Sequence, residues 1–113
     1  MKVELLHIRD CPNTEPARML LRETLRELGQ ADEISELEVS DPAQADVLNF
    51  PGSPTIRVNG IDVDTTLPQQ NSYGLSCRTY LIGGKLRGLP AREMIRNAIQ
   101  SAVSPTDTET KRS

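Results

Sequence analysis

The sequence predicts an α/β fold in which a central mixed four-stranded sheet carries helices on both faces. The first observation behind this is the order of segments, because short apolar runs alternate with helical patterns as β-α-β-α-β-β and end in a last helix. The second is Asn59-Gly60, the preferred two-residue hairpin turn, which lies between two alternating runs. A strand–helix–strand unit makes parallel neighbours, whereas a hairpin adds an antiparallel strand, so the sheet is expected to be mixed.

The first part of the chain has the pattern of a strand, a helix and an edge strand. Residues 2–9 are short and apolar-rich, which predicts a mostly buried first strand. Asn13 or Thr14 is suited to cap the following helix, in which leucines recur at helical spacing until Gly29 ends it. Residues 33–40 alternate acidic and apolar side chains, which is typical of a half-exposed edge strand.

The second part of the chain begins with a strong helix start, because Asp41 is a good cap and Pro42 fits the first helical position. The polar residues 65–76 are expected to form a loop, and residues 77–82 could add a further short strand. The other expected elements are a helix over 42–48, hairpin strands over 55–58 and 61–64, and a last helix that Pro90 opens.

Composition restricts the domain organisation and the class of partner. The chain has 113 residues, two cysteines and a net charge of −3, and no apolar stretch approaches the ~20 residues that a membrane span needs. These values predict one domain over residues 1–103, a disordered tail over 104–113, and a cytoplasmic protein with reduced thiols. They argue against a nucleic-acid or membrane partner, and we expect no resident cofactor and a monomer or weak homodimer.

Cys11 lies where the first strand runs into the first helix, a position that favours a reactive thiol. Unpaired N–H groups and the positive end of the helix dipole stabilise a thiolate there, and Pro12 stiffens the turn. The neighbouring Asp10 acts in the opposite direction, because a negative charge raises the pKa of a thiol. The alternative is a small buried hydrophobe, as most free cysteines are, and placement alone leaves both interpretations open.

Two short motifs carry a resemblance to a known family: Cys11-Pro12-Asn13-Thr14 at a strand-to-helix junction, and Ser53-Pro54-Thr55 before a hairpin. With the closing helix, they resemble the thioredoxin-like superfamily in its short glutaredoxin-like form, over residues 2–103. The resemblance implies that Cys11 is the nucleophile, that a cis Pro54 faces its sulfur, and that Ser53 offers its backbone to an extended substrate. Pro12 and Thr55 belong to the same substrate-binding set, and Thr14, where the family has its second cysteine, is counted with the catalytic residues.

Further segments extend the resemblance and also mark its departures. Residues 50–55, 58–60 and 74–78 are similar to small uncharacterised bacterial thioredoxin-like proteins, some of which carry an alkylmercury (organomercurial) lyase label. Because Thr14 replaces the second cysteine, the local disulfide of the family cannot form. Val63-Asp64 stands where glutaredoxins carry a Gly-Gly pair, which argues against glutathione binding.

The position of Cys77 decides what a second thiol could do. If the strand at 61–64 runs back toward the end of the sheet that holds Cys11, Cys77 can sit beside Cys11, where Arg78 would favour its thiolate. If residues 75–82 are instead the return strand of the hairpin, Cys77 lies ~20 Å from the strand end, beyond the reach of a disulfide. The turn signal favours the first arrangement, while a resolving or second ligand thiol and a packed strand residue both stay open.

Three functions are consistent with these residues. The first is thiol–disulfide exchange with a small thiol or a protein disulfide, in which Cys11 attacks and Cys77 resolves. The second is binding of a soft metal, or binding or cleavage of an organomercurial, by Cys11 and Cys77, with Asp64 as a candidate proton donor. The third is a non-catalytic module that takes a peptide as an added strand beside Pro54. The single histidine, His7, is expected to be a packed residue, and no other metal site is expected.

Overall fold

The computed structural model describes residues 1–31, 33–65 and 74–103. The elements in this part of the chain are β1 (Val3–His7), α1 (Thr14–Glu27), β2 (Ser35–Glu38), α2 (Pro42–Leu48), β3 (Thr55–Val58), β4 (Ile61–Asp62), β5 (Tyr80–Ile82), β6 (Lys85–Arg87) and α3 (Arg92–Val103). The predicted tail over 104–113 and most of the predicted loop over 65–76 lie outside the described residues. Among the described residues, none of the helices is long and apolar enough to cross a membrane.

The main sheet has the strand order β2-β1-β3-β4. β1 runs parallel to β2 and antiparallel to β3, and β3 runs antiparallel to β4. This arrangement confirms the predicted mixed four-stranded sheet. β2 is at the edge, as its alternating pattern predicts, but all four of its residues are exposed instead of half of them.

Helices cover both faces of the sheet, because consecutive residues of a strand point to opposite sides. Leu5 and Leu6 are adjacent in β1 and are both fully buried, yet they belong to separate apolar clusters. The cluster on one face joins β1 and β3 to α1 and α3 and contains Leu5, Leu21, Leu25, Ile56, Ile95 and Ile99. The cluster on the other face contains Leu6, Val39, Ala45 and Phe50 and packs α2 against the sheet.

Two local signals have the geometry that the sequence predicts. The Asp41 side chain accepts a hydrogen bond from the Gln44 N–H at 2.8 Å, and α2 begins at Pro42. Asn59 and Gly60 both have left-handed backbones, with φ of 54° and 80°, as a two-residue turn between antiparallel strands requires. These two signals set the start of α2 and the register of the β3–β4 hairpin.

The segment after the predicted loop differs from expectation. The strand expected over 77–82 begins only at Tyr80, and it pairs with β6 in a separate two-stranded sheet. The pair Gly83-Gly84, both with positive φ, forms the turn between them. A double glycine is equally consistent with the end of an element and with a hairpin turn. The charged residues of β6 also gave no apolar pattern from which a strand could be predicted.

Candidate active site

Cys11 lies in the turn between β1 and α1, and its side chain is partly exposed. A hydrogen bond of 3.2 Å from the Thr14 N–H to the Cys11 carbonyl closes this turn. Asp10, with a φ of 60°, changes the direction of the chain just before it, and the Pro12 ring is exposed beside it. The thiol is therefore at the amino end of α1, and part of its surface is open to a reactant.

The surroundings of the Cys11 sulfur favour its thiolate. Partial burial raises the pKa of the Cys11 thiol, because a charge is poorly solvated there. The Ser53 hydroxyl, the Asn13 backbone, and the hydroxyl and backbone of Thr14 lie close enough to the sulfur to stabilise its negative charge. Together they outweigh burial, so the pKa of the thiol lies below its ordinary value. Of the two interpretations left open by the sequence, this environment favours the reactive thiol.

Thr14 is the first residue of α1, and its side chain also lies beside the Cys11 thiol. Its Oγ1 is buried and makes no well-aligned hydrogen bond within the described residues, although it lies near enough to the Cys11 sulfur to lower the pKa of the thiol. A buried hydroxyl without a good hydrogen-bond partner lowers the stability of the fold. The Thr14 hydroxyl therefore gains most as a donor when the Cys11 sulfur carries a full negative charge. Thr14, which stands where the resemblance places a second cysteine, thus holds a donor close to Cys11.

Ser53 joins the loop before β3 to the turn after β1. The Ser53-Pro54 peptide bond is cis, and Ser53 is fully buried. The Ser53 Oγ accepts a hydrogen bond from the Ile8 N–H at 3.1 Å, and the same hydroxyl lies close enough to the Cys11 sulfur to lower the pKa of the thiol. Cys11 and Ser53, which are 42 positions apart in the sequence, therefore meet at the Ser53 hydroxyl.

The Thr55 side chain is buried and stabilises the loop before β3. The Thr55 hydroxyl donates to the Gly52 carbonyl at 2.6 Å and accepts from the Arg78 guanidinium at 3.1 Å. Pro54 is buried, and its carbonyl accepts a hydrogen bond of 2.6 Å from the Tyr80 hydroxyl. The Thr55 side chain therefore holds the loop, and its predicted part in substrate binding stays a prediction.

Cys77 lies next to Ser53 in a short segment of residues 76–78, which we call the Cys77 segment. The Ser53 N–H donates to the Ser76 carbonyl at 2.8 Å, and the Arg78 N–H donates to the Ser53 carbonyl at 2.9 Å, which pairs Ser53 with Cys77 in parallel. Both cysteines are free thiols, and Cys77 is exposed. Ser53 thus contacts Cys11 through its side chain and the Cys77 segment through its main chain, while the alternative with 75–82 as the return strand of the hairpin is not observed.

Arg78 has a different role from the one the sequence predicts. It is 4% exposed, and its guanidinium donates to both carboxylate oxygens of Asp62, at 2.7 and 3.0 Å. The guanidinium carbon lies 4.3 Å from the centroid of the Tyr80 ring. Because successive side chains of an extended segment point to opposite sides, Arg78 turns inward where Cys77 turns outward. The expectation that Arg78 serves the Cys77 thiol is therefore corrected.

The remaining candidates are Asp64 and His7. Asp64 is buried and its negative charge acts on Arg78 and Tyr80, while its role as a proton donor stays a prediction. His7 is half-buried, with its Nε2 3.9 Å from Glu36, which is the packed state expected of it. Within the described ranges, three or more His, Cys, Asp or Glu side chains nowhere come together as a metal site.

Three residues of the site were missed by the sequence reasoning. Asp62 alternates with apolar residues and reads as a solvated strand position, yet it holds Arg78. Tyr80 gives no local signal, although burial raises the pKa of its hydroxyl and keeps it protonated as a donor to Pro54. Gly88 packs so closely on Asn13 that a Cβ there would lie 3.0 Å from the Asn13 Cγ. A glycine just before the last helix was the available signal for this approach.

Comparisons with known proteins add no relative. A scan against models of protein families, a search of curated proteins and a search of solved structures each found no match for this chain. The site is therefore interpreted from its own geometry.

Removing the Ser53 hydroxyl tests the environment of Cys11. We expect Ser53→Ala to raise the pKa of the Cys11 thiol, because the thiolate loses a hydrogen-bond donor. The measurement is the rate of iodoacetamide alkylation at Cys11 against pH, whose midpoint should move to higher pH. Thr14→Val should move it in the same direction, and Ser101→Ala, on the exposed side of α3, should leave it in place. An unchanged midpoint in both site variants would contradict the assignment.

Proposed function

We propose that this chain is a thioredoxin-like thiol–disulfide exchange protein in which Cys11 is the attacking thiolate. The observation that carries the proposal is the placement of a partly exposed sulfur at the amino end of α1, close to the Ser53 hydroxyl and to the backbone of Asn13 and Thr14. These groups favour the thiolate, which is the nucleophile in disulfide exchange. The order of strands and helices and the cis peptide before Pro54 support the thioredoxin-like assignment.

The proposed reaction uses both thiols. The Cys11 thiolate attacks one sulfur of a disulfide R–S–S–R, forms the mixed disulfide Cys11–S–S–R and releases one thiolate RS⁻. The Cys77 thiolate then attacks the Cys11 sulfur, forms a Cys11–Cys77 disulfide and releases the second RS⁻. Two electrons pass from the protein dithiol to the substrate, and a small dithiol restores the protein by the reverse exchange. This chemistry requires reduced thiols, so the proposal includes a reducing compartment such as the cytoplasm.

The experiment that tests the two roles follows thiol release and protein mass. Wild-type protein mixed with excess bis(2-hydroxyethyl) disulfide is expected to release two equivalents of thiol and to lose two mass units. Cys77→Ser is expected to release one equivalent and to keep one 2-thioethanol group on Cys11. A stable adduct on wild-type protein would contradict the resolving role of Cys77, and the absence of any adduct on Cys77→Ser would contradict the attack by Cys11.

A second candidate function is the binding of a soft metal or an organomercurial by the two thiols. The observation in its favour is that both cysteines are free and that both contact Ser53 or its main chain. Thiolates are the ligands that soft metal ions prefer, and two of them suit a two-coordinate ion. Titration with Hg(II) should then show weaker binding to Cys77→Ser than to wild type. Equal affinities would remove the two-thiol site and leave disulfide exchange unaffected.

A further inference from the structure

The main chain of Ser53 has no free hydrogen-bonding group within the described structure. A peptide that docks as an added strand needs the N–H and the C=O of a residue at an open edge. The Ser53 N–H is bound to Ser76 at 2.8 Å, and its carbonyl is bound to Arg78 at 2.9 Å. The Ser53 side chain is also engaged, by Ile8 and Cys11. The chain's own Cys77 segment thus occupies the edge at which an extended substrate would pair.

Contacts of the buried Arg78 side chain and of Gly52 hold the Cys77 segment in place. The buried Arg78 is held by Asp62, by Thr55 and by the Tyr80 ring. Gly52 packs directly on its backbone, since a Cβ at position 52 would lie 2.9 Å from the Arg78 Cβ and 3.2 Å from its Cα and N. A peptide could pair with Ser53 only after displacing a segment that carries a buried charge, which is strongly unfavourable.

Two recesses border chain neighbours of the site residues, although Cys11 itself lines neither of them. One recess of about 450 Å³ lies between Asn13, whose backbone lies close to the Cys11 sulfur, and residues 87–91. Another, of about 400 Å³, lies between Ile8, Arg9 and Leu75, next to the Cys77 segment. Both volumes fall in the range of sites for small ligands.

We propose that the Cys77 segment closes the strand-docking edge beside Cys11, so that the reaction partner of Cys11 is a low-molecular-weight disulfide and not an extended polypeptide. This inference rests on the proposed function and names its substrate class. It also replaces the expectation that Ser53 offers its backbone to a substrate, because that backbone is already paired. Arg78 is then a positioning residue for specificity, acting through the segment it anchors.

The test compares two disulfides of similar reactivity in the wild-type protein. The probes are bis(2-hydroxyethyl) disulfide and the mixed disulfide of 2-thioethanol with a flexible cysteine peptide of about nine residues. We expect the small disulfide to react with Cys11 faster by about ten-fold or more, because the main chain of the peptide could reach Ser53 only by displacing the Cys77 segment. Equal rates would overturn the inference and leave the proposed function standing. Reaction with neither probe would overturn both.

Variants that loosen the segment sharpen the test. Arg78→Met removes its anchor, and Gly52→Ala presses a methyl group against its backbone, so each is expected to reduce the ratio of the two rates toward one. Arg22→Met, an exposed arginine of α1, is the matched control and is expected to keep the wild-type ratio. A ratio that stays at the wild-type value in every folded segment variant would also count against the inference, because the segment would then not set the preference.

Discussion

Replacing Cys11 with serine is expected to abolish disulfide reduction, lowering the rate by at least about 10³-fold. A serine hydroxyl is not ionised near neutral pH, so the donors of Ser53, Asn13 and Thr14 have no anion to stabilise. The rate is measured as thiol release from a small disulfide at fixed pH under pseudo-first-order conditions. Cys11 is partly exposed, so the substitution should leave the free energy of unfolding within about 1 kcal/mol of wild type.

The matched control for this prediction is Cys77→Ser. In the proposed reaction Cys77 acts only in the second step, so this variant should form the mixed disulfide at a rate within about three-fold of wild type, far from the loss expected at Cys11. The first step is followed by protein mass at early times. Retention of the wild-type rate by Cys11→Ser, or an equal loss in both variants, would show that the roles of the two thiols are wrongly assigned.

The parts of the fold that could be predicted are those with short-range signals. Asp41-Pro42 marks the start of α2 because the cap and the proline both act within the first turn of the helix. Asn59-Gly60 marks the hairpin because the turn needs two left-handed residues, which this pair adopts at low cost. Because these signals depend only on neighbouring residues, they can be recognised without knowing which strands pair in the sheet.

The support of the site could not be predicted because it depends on distant partners. Ser53 and Cys77 pair across a loop, and only an isolated bridge joins them, so neither has the periodic pattern of a strand. Asp62 and Arg78 each look like solvated charges in their own segments, and they become a buried pair only when the two segments meet. The resemblance of the two motifs implied that Pro54 faces the Cys11 sulfur, but neither the resemblance nor any periodicity indicated the approach of the Ser53 hydroxyl to Cys11. The sequence thus placed Cys11 at the start of a helix, whereas it gave no sign that the Cys77 segment pairs with Ser53.

Arg78→Met is expected to lower the free energy of unfolding by about 3 kcal/mol. The arginine side chain is 3% exposed and that of Asp62 is 23% exposed, so removing the guanidinium leaves a poorly solvated carboxylate without its partner. The contacts of the guanidinium with Thr55 and with the Tyr80 ring are lost as well. Urea denaturation followed by circular dichroism measures the change, and Arg22→Met should stay within about 0.5 kcal/mol of wild type.

The double variant Arg78→Met/Asp62→Asn distinguishes a lost ion pair from lost packing. If the cost of Arg78→Met comes mainly from the stranded Asp62 carboxylate, neutralising that carboxylate should recover about 1 kcal/mol or more, and the two substitutions will not be additive. If the cost comes from the methylene groups and the ring contact, the double variant will be less stable by the sum of the two single losses. A change of less than about 0.5 kcal/mol in Arg78→Met itself would contradict the anchoring of the Cys77 segment, because an anchor that carries no free energy cannot hold that segment on Ser53.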